Sequence, residues 1–522
     1  MSTVRFLDQP IEFAEQEGVG APVWIGQAPD GAGLLAFAVA AHRAGGRLAA
    51  IWGSDERKNG QGFRVNCVFG IDAGHAWVRL DLAEDNPVYP DLAGIFPAAN
   101  RMQRATRDMV GIAIDGGDQR PWLRHGGWPA DWFPLRHDAP AADFPNGPTD
   151  YDFVRVEGKG AHEIPVGPIH AGIIEPGHFR FSVVGERVLR LEQRLGYQHK
   201  GVERRLIGMD IDRGAKLVGR ISGDSTCAYA WAYAVAVESA CGVEPPPRAL
   251  GLRALMLERE RVANHLGDLG MLGNDAAFGF GLTQFFKLKE DWVRLSHRAF
   301  GHRFMMDCIV PGGIVDTANP DAALRSAMAA QCDVVEREVR ELKVLYDEHA
   351  GLQDRFLTTG AINDALAQEL SLTGIAARAT GTLLDGRVWS QGYEPPVPYA
   401  GLGVRPVSDV RGDVAARAAV RFAEVFESLR LIRKLVAGMP GGSARAKIAP
   451  RAGKGLGVIE GWRGEVLVGV ELDAEGRILR AHPHDPSWQV WPALEHAVMK
   501  DIVPDFPLIN KSFNLSYSGQ DI

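Results

Sequence analysis

Two histidines and one glutamate lie close together in a stretch of sequence that favours a loop. His170, Glu175 and His178 fall within nine residues, among the glycines and prolines of 167–178. Burial can move the pKa of such side chains toward neutrality, so this loop could relay protons into a cleft. Two alternatives stay open. The side chains could hydrogen-bond their own loop, or they could bind a metal ion, which we favour least because their spacing matches no common ligand pattern.

Few residues of this chain carry a thiol group. The five cysteines lie far apart and none forms a CxxC pair; they are Cys67, Cys227, Cys241, Cys308 and Cys332. This spacing predicts reduced, buried thiols that pack as small hydrophobic side chains, and it predicts no iron–sulfur cluster in the chain. No GxGxxG segment follows a predicted strand, so we expect no direct binding of NADH.

Composition and charge argue against several classes of function. The formal net charge is -8 and the Lys and Arg residues are dispersed, which argues against a nucleic-acid surface. No stretch approaches the roughly 20 apolar residues that a membrane-spanning helix needs, and the first residues lack the apolar run of a secretion signal. We therefore expect a cytoplasmic protein that lies on the inner face of the cell membrane only through partner subunits.

The first part of the chain has the pattern of a small sheet domain. Runs typical of β-strands occupy 47–52, 62–71 and 76–82, and the polar loop between the first two predicts a hairpin. The stretch 138–152 is rich in Pro, Ala, Asp and Gly and lacks an apolar period, as linkers do.

The domain organisation follows from these patterns. We place an α+β domain at 1–145, a linker at 146–160 and a second, larger domain at 161–522.

Long amphipathic segments dominate the second domain. Apolar residues recur at helical spacing over four stretches: 248–272, 282–301, 322–349 and 413–438. Four such helices predict a bundle core, and strands are predicted around it at 179–184, 187–191, 464–472 and 477–480. The predicted fold class is therefore α+β: a small N-terminal α/β-sheet domain followed by a large, mainly helical domain with peripheral β-hairpins.

Ordered motifs make this chain resemble a known superfamily. From residue 167 onward it resembles the large subunits of group 4 nickel–iron (NiFe) hydrogenases, the energy-converting, formate hydrogenlyase type, and the quinone-pocket subunit of respiratory complex I. The motifs lie at 167–181, 196–203, 259–265, 457–464 and 485–488. The N-terminal region is similar to the small hydrophilic complex I subunit, through 62–65, 96–99, 107–112 and 132–136. The resemblance implies a fusion of these two subunits.

The resemblance also implies where a metal centre would lie. Active hydrogenases hold nickel and iron with two CxxC pairs, because soft thiolates suit these metals. The corresponding positions here are Ser222, Ser225, Ser516 and Gly519, so all four thiols are absent. We expect no NiFe centre and no firmly bound cofactor. The chain stops three residues after Gly519, which we read as fitting a protein that never receives the metal.

Several residues of the superfamily's site are retained. Glu175 matches the glutamate that passes protons to the metal, and Arg463 matches the arginine that sits over it; with His178 they form the predicted catalytic set. The alternative is that Glu175 and Arg463 form a buried ion pair that fills an empty pocket.

A quinone is the candidate ligand that complex I suggests. Its loop histidine corresponds to His170 or His178, while its tyrosine falls on Gly223, so Tyr229 or Tyr517 would have to substitute for it. We include His170, Asp224 and Tyr229 in the predicted binding set.

The resemblance leaves three functions open. The first is a redox-coupled hydrophilic subunit of a membrane-attached complex, which reduces a quinone-like acceptor and couples this to ion translocation. Its partners would be a small iron–sulfur cluster subunit and membrane subunits of the antiporter or complex I type. The second is a catalytically silent structural subunit of such a complex, and the third, least favoured, is an active hydrogenase. An open polar cavity between the Glu175 loop and the C-terminal tail would favour the first over the second.

Overall fold

The computed structural model describes residues 3–18, 20–141, 144, 147, 150–172, 174–388 and 398–522. The strands are β1 Thr3–Arg5, β2 Glu12–Glu15, β3 Val23–Gln27, β4 Arg47–Asp55, β5 Phe63–Ile71, β6 Gly74–Leu82, β7 Val88–Pro90, β8 Ala113–Asp115, β9 Ala161–Val166, β10 His178–Val184, β11 Arg187–Arg194, β12 Ile309–Val310, β13 Gly313–Ile314, β14 Gly453–Glu460, β15 Glu465–Leu472 and β16 Ile478–His484. The helices are α1 Gly31–Arg43, α2 Ala99–Val110, α3 Val202–Leu206, α4 Ile211–Val218, α5 Thr226–Cys241, α6 Pro247–Asp275, α7 Gly279–Phe300, α8 Ala322–Glu348, α9 Ala350–Phe356, α10 Asp364–Glu369, α11 Gly374–Arg378, α12 Val414–Ala437, α13 Ser487–Ala497, α14 Phe506–Phe513 and α15 Tyr517–Gln520.

The N-terminal region is built on one mixed sheet. Its strand order is β1-β2-β3-β6-β5-β4, and only β3 and β6 run parallel. The side chain of Asp30 caps α1 by accepting a hydrogen bond from the backbone N–H of Gly33. The apolar side chains of α1 and of the sheet form a core that continues into the C-terminal helices α13 and α14.

The helical region is arranged around α6. This helix begins at Pro247, where a missing N–H costs nothing, and it packs against α7, α12, α14 and α5. Because neighbours cover it on every side, even its charged residues Glu258, Arg261 and His265 are fully buried. These charges must therefore find partners within the bundle.

A three-stranded meander connects the two regions. It runs β14-β15-β16, and β14 packs with one face on α5 and with Leu456 and Val458 on the N-terminal sheet. The turn between β14 and β15 carries Trp462 and Arg463, so this packing positions both side chains.

The predicted α+β fold class is confirmed. The four predicted long helices correspond to α6, α7, α8 and α12, and the predicted hairpins to β4–β5, β10–β11 and β15–β16. Strands β9 and β14 are among the strands that were not predicted, because glycine and proline within a segment weaken its β signal. Residues 146, 148 and 149 of the predicted linker lie outside the described residues. Among the described helices, none combines the length and apolar character required to cross a bilayer.

Candidate functional site

The site lies where three segments without regular structure meet. The first precedes α5 and carries Ser222, Asp224 and Ser225; the second is the turn with Arg463; the third is the C-terminal tail, which carries Ser516. We call Ser222, Asp224, Ser225, Arg463 and Ser516 the Arg463 cluster.

Hydroxyl groups in the cluster bond to each other and to one carboxylate. Ser222 Oγ lies 3.0 Å from Ser516 Oγ and donates to Asp224 Oδ1 at 2.7 Å. Ser225 Oγ donates to the same carboxylate oxygen at 3.1 Å. Ser516 Oγ also accepts from the backbone N–H of Gly519 at 2.8 Å, which caps the short helix α15. The four positions that would hold a metal in a hydrogenase therefore converge.

Arg463 balances the charge of Asp224. Its Nη2 donates to Asp224 Oδ2 at 2.7 Å and its Nη1 to Ser225 Oγ at 3.2 Å, while Nε donates to the carbonyl of Asn514 at 2.7 Å. The guanidinium lies 4.1 Å from the ring centroid of Trp462. The Arg463 side chain is 4% exposed and that of Asp224 is 37% exposed, so the cluster meets solvent through the carboxylate. Burial alone would raise the pKa of Asp224, but the charge of Arg463 and the hydroxyl donors hold it below its usual value.

The alternative in which Glu175 and Arg463 form an ion pair is wrong. Arg463 pairs with Asp224, whereas the Glu175 carboxylate accepts hydrogen bonds from Ser518 Oγ at 2.6 Å and from Ser518 N at 3.2 Å. Asp224 satisfies the guanidinium from within the same cluster, so no second carboxylate is required. The Glu175 loop and the tail thus contact each other directly.

The two loop histidines hydrogen-bond their own loop. His170 Nε2 lies 2.8 Å from the carbonyl of Gly177, and His178 Nδ1 lies 3.1 Å from that of Gly167. His178 begins β10, and its ring packs near Phe153 and Arg180. The structure therefore does not bring His178 to the Arg463 cluster, and burial lowers the pKa of its imidazole.

Tyr229 lies beside the cluster but is already engaged. Its hydroxyl donates to Asp485 Oδ2 at 2.7 Å, and both residues are fully buried. Asp485 also occupies the space next to Gly519, because a Cβ at Gly519 would lie 2.6 Å from its carboxylate. A cysteine would therefore not fit at Gly519 without movement of Asp485.

The residues at the four positions do not fit a NiFe centre. Three hydroxyls and a glycine replace four thiolates, and hydroxyls are poor ligands for these soft metals. The carboxylate of Asp224 accepts from Ser222 and Ser225, and the guanidinium of Arg463 bonds to this carboxylate. Among the described residues, no group of three or more His, Cys, Asp and Glu side chains is arranged to hold a metal ion.

Gly223 leaves one side of the cluster open. It is exposed, and a Cβ built on it would meet no atom within 4 Å. This is the position at which the resemblance places the tyrosine of a quinone pocket, so the missing ring is not replaced by another side chain there.

Sequence reasoning missed a buried carboxyl beneath the cluster. Glu260 accepts hydrogen bonds from the backbone N–H groups of Cys227 and Ala228, at 2.7 and 3.2 Å, and so caps the start of α5. Burial raises its pKa to about 8. Asn264 connects it to the cluster, since its Nδ2 donates to the carbonyls of both Asp224 and Glu260. The motif 259–265 contained this residue, but no pattern in the sequence showed what it faces.

Known proteins resemble this chain over most of its length. Residues 276–452 match the family model described as respiratory-chain NADH dehydrogenase, 49 Kd subunit, and residues 31–145 match that described as the 30 Kd subunit. Formate hydrogenlyase subunit 5 of Escherichia coli is 30% identical over 499 residues, which are 92% of this chain and 85% of the relative. The C/D subunit of the NADH-quinone oxidoreductase of Bacteroides thetaiotaomicron is 24% identical over 467 residues, 81% of this chain and 84% of the relative.

A solved structure shares the fold. A chain in the structure of the membrane-bound sulfane sulfur reductase (MBS), an archaeal respiratory membrane complex, superposes with a TM-score of 0.64 at 23% identity. The match covers 70% of this chain and 99% of that chain. At this identity the similarity shows a common fold.

Proposed function

Because this chain belongs to the family that unites the 49- and 30-kDa subunits of complex I with group 4 NiFe hydrogenase large subunits, we propose that it is a redox-coupled hydrophilic subunit of a membrane-attached complex. It works without a NiFe centre. A small partner subunit with an iron–sulfur cluster supplies electrons, and membrane subunits of the antiporter type use the reaction to move ions. The chain then lies on the cytoplasmic face of the membrane, held by these partners.

The observation that carries this proposal is the ion pair between Arg463 and Asp224 at the former metal position. Burying the guanidinium of Arg463 costs free energy, and well-packed apolar side chains are often as stable as a buried charged group with its partner, or more stable. A purely structural subunit has no need of a charged pair at this point. The pair and its hydroxyl donors therefore support a chemical role, in binding and polarising an acceptor.

We propose a quinone-like acceptor, bound at the open side of the cluster next to Gly223. Its reduction takes two electrons from the partner and two protons, one for each carbonyl oxygen. Hydroxyl and guanidinium donors suit carbonyl oxygens that gain negative charge. Glu175 contacts Ser518, next to Gly519, and so stands where it can pass protons to this side.

The test is reduction of a soluble quinone analogue by the intact purified complex, together with its metal content. Asp224→Asn removes the charge partner of Arg463, and we expect it to lower turnover at least tenfold. Asp307→Asn is the matched control, because Asp307 forms an ion pair with Arg220 at the surface; we expect it to keep full turnover. The set of subunits that copurify is measured for each variant, so that loss of assembly is not mistaken for loss of chemistry.

A second function, a silent structural subunit, is favoured by one observation. Ser222 and Ser516 bond directly, and the Glu175 loop contacts the tail through Ser518, so these segments touch each other where an open cavity between loop and tail would favour a redox role. Equal turnover of wild type and Asp224→Asn, or no turnover in an assembled wild-type complex, would support this function. Stoichiometric nickel would instead revive an active hydrogenase.

A further inference from the structure

We propose that a buried charge network in the helix bundle stores one exchangeable proton, held on Glu460, three residues from Arg463. The network is formed by α6, α12, the end of α11 with the residues that follow it, and the end of β14. Its members are at most 6% exposed: Glu258, Arg261, His265, Arg378, Asp385, Arg387, Glu424 and Glu460. We call it the Glu424 network.

Glu424 is its centre. Its Oε2 lies 2.7 Å from His265 Nε2 and 3.5 Å from Arg261 Nη1, and its Oε1 lies 2.7 Å from Arg378 Nε. Three groups that are or can become cationic thus surround one carboxylate. Glu424 is therefore ionised, and the charge of Arg378 lowers its pKa even though burial alone would raise it.

A second part of the network lies around Arg387. This guanidinium bonds to Asp385 at 2.7 Å and to Glu258 at 3.1 Å. Glu258 also accepts from the hydroxyls of Ser428 and Tyr399, at 2.6 and 2.7 Å. Both carboxylates have enough donors to remain charged.

Glu460 is the carboxyl of the network whose negative charge is least stabilised by hydrogen bonds. Its Oε1 accepts one charged hydrogen bond, from Arg378 Nη1 at 2.8 Å, and its Oε2 accepts only a long one, from Gly386 N at 3.3 Å. Arg261 donates to its backbone carbonyl rather than to its side chain. Burial and the nearby charge of Asp385 raise the pKa of Glu460.

Counting charges leaves the network one positive charge short. Among the described residues it contains four carboxyls and three guanidinium groups. Buried charges that are not balanced are very costly, so one proton must be added to a carboxyl or to His265.

On α12, the described guanidinium groups nearest to the network bond to residues outside it. Arg421 of α12 pairs with Asp268 of α6 at 2.8 Å, so the charges of these two side chains cancel each other. Arg417 lies one helical turn before Arg421. It donates to Ser512 and to the carbonyls of Gly360 and Gly412. Tyr399 is neutral, since burial raises its pKa well above the usual value.

His265 is the competing position for the proton. Its Nε2 meets Glu424, but its Nδ1 has no hydrogen-bond partner among the described residues. A doubly protonated ring would bury an unpaired N–H, and burial lowers the pKa of His265. The proton therefore rests on Glu460 while His265 stays neutral.

The proton on Glu460 lies close enough to the Arg463 cluster to take part in its chemistry. Arg261 donates to the carbonyls of Glu460 and Gly461, at the start of the turn that carries Arg463. Reduction makes the carbonyl oxygens of the acceptor more basic, so they can accept a proton. The network can therefore release its proton to the site and recover it afterwards. This role rests on the proposed function, whereas the presence of the proton does not.

The test is infrared spectroscopy of the full chain at neutral pH, in H2O and D2O. The difference spectrum of wild type and Glu460→Gln should show the C=O stretch of a protonated carboxyl that shifts in D2O. Glu424→Gln should remove the same band, because Glu460 then ionises to replace the lost negative charge. Glu260→Gln serves as control, since it should remove its own band and leave that of Glu460.

Thermal unfolding provides an independent readout. Glutamine mimics a protonated carboxyl, so Glu460→Gln should unfold within about 2 °C of wild type at pH 7, as expected for a ΔΔG well below 1 kcal/mol. Two results would contradict this inference. One is a carboxylate band for Glu460 in place of the protonated band, and the other is a large fall of the thermal unfolding midpoint in Glu460→Gln.

The outcomes separate this inference from the proposed function. If the complex reduces quinone but Glu460 is not protonated, the proposed function stands and the proton on Glu460 is wrong. If the Glu460 band is present but the complex does not reduce quinone, the proton on Glu460 stands and the proposed function is wrong.

Discussion

Single side chains in the Arg463 cluster replace metal ligation by charge and hydrogen bonding. A thiolate binds a soft metal, whereas a serine hydroxyl stays protonated and donates its hydrogen. Here Ser222 and Ser225 donate to Asp224, whose charge Arg463 balances. Restoring cysteine at one position would leave this ion pair in place, so it would not rebuild a metal site.

Glu260 should make the stability of the chain depend on pH. Its pKa is raised from 4.5 to about 8 in the folded state, so folding favours the protonated form. This contribution is fully present below the unfolded pKa and is lost as the pH rises through about 8, by on the order of 5 kcal/mol. We expect the free energy of unfolding to fall between pH 5 and pH 9 in wild type and to fall less in Glu260→Gln.

Denaturant titrations at several pH values measure this effect. The exposed Glu244 offers a control, since Glu244→Gln should keep the wild-type slope. Identical slopes for Glu260→Gln and wild type would show that Glu260 is ionised in the folded chain.

The five cysteines should be unreactive in the folded protein. All are buried and free, which confirms the prediction from their spacing. Burial raises the pKa of Cys308 and Cys332 to about 12, so little thiolate, the reactive form, is present at pH 8. A thiol reagent should modify fewer than one cysteine per native chain and all five in denaturant. Fast modification of several thiols in the native chain would contradict this.

Among the secondary-structure elements, strand β14 depends on glycine for its contact with α5. Gly453, Gly455 and Gly457 alternate along one face of the strand, where a Cβ would overlap the carbonyl oxygens of Ala240, Ala236 and Ala232, respectively. The alanines recur at intervals of four and so share one face of the helix. The opposite face of β14 packs on the N-terminal sheet through Leu456 and Val458.

Gly455→Ala should therefore displace β14, the strand that leads into the turn with Arg463. We expect a loss of about 2 to 3 kcal/mol of unfolding free energy, because a backbone carbonyl cannot move aside as a flexible side chain can. Gly441→Ala is the matched control, since a Cβ there meets no atom within 4 Å, and its effect should stay within about 1 kcal/mol. Chemical denaturation compares the two, and similar stabilities would show that β14 can shift without cost.

Across the whole molecule, the N-terminal and C-terminal regions share cores and ion pairs. Glu465 of β15 contacts both Arg47 and His75, and Arg101 bonds to Glu495 at 2.7 Å. The ring of His482 stacks on Trp52 with centroids 4.8 Å apart. The regions thus stabilise each other wherever the domain boundary is drawn.

We therefore expect residues 1–150 and 151–522, expressed as two chains, to associate. A tag on the first chain should recover the second in equal amount, because the shared apolar cores would otherwise be exposed to water. Arg101→Ala in the first chain should weaken recovery, since it leaves Glu495 without its charged partner. Recovery of the tagged chain alone, folded and monomeric, would show that the shared core contributes little.

The sequence by itself determined the fold class, the long helices and the loss of the four metal-binding thiols. Helical periodicity reports which face of a segment meets an apolar environment, and this information is local. Motifs in a fixed order identified the family, and the residue types at Ser222, Ser225, Ser516 and Gly519 were sufficient to exclude thiolate ligands.

Only the tertiary structure decided which charges meet. Arg463 pairs with Asp224, 239 residues away, and not with Glu175, the partner in the alternative. Burial raises the pKa of Glu260, and no pattern along the chain encodes that burial. The charge count of the Glu424 network likewise required three-dimensional placement. The physical reason is that burial and pairing energies depend on distances in space, which helix and strand periods along the chain do not specify.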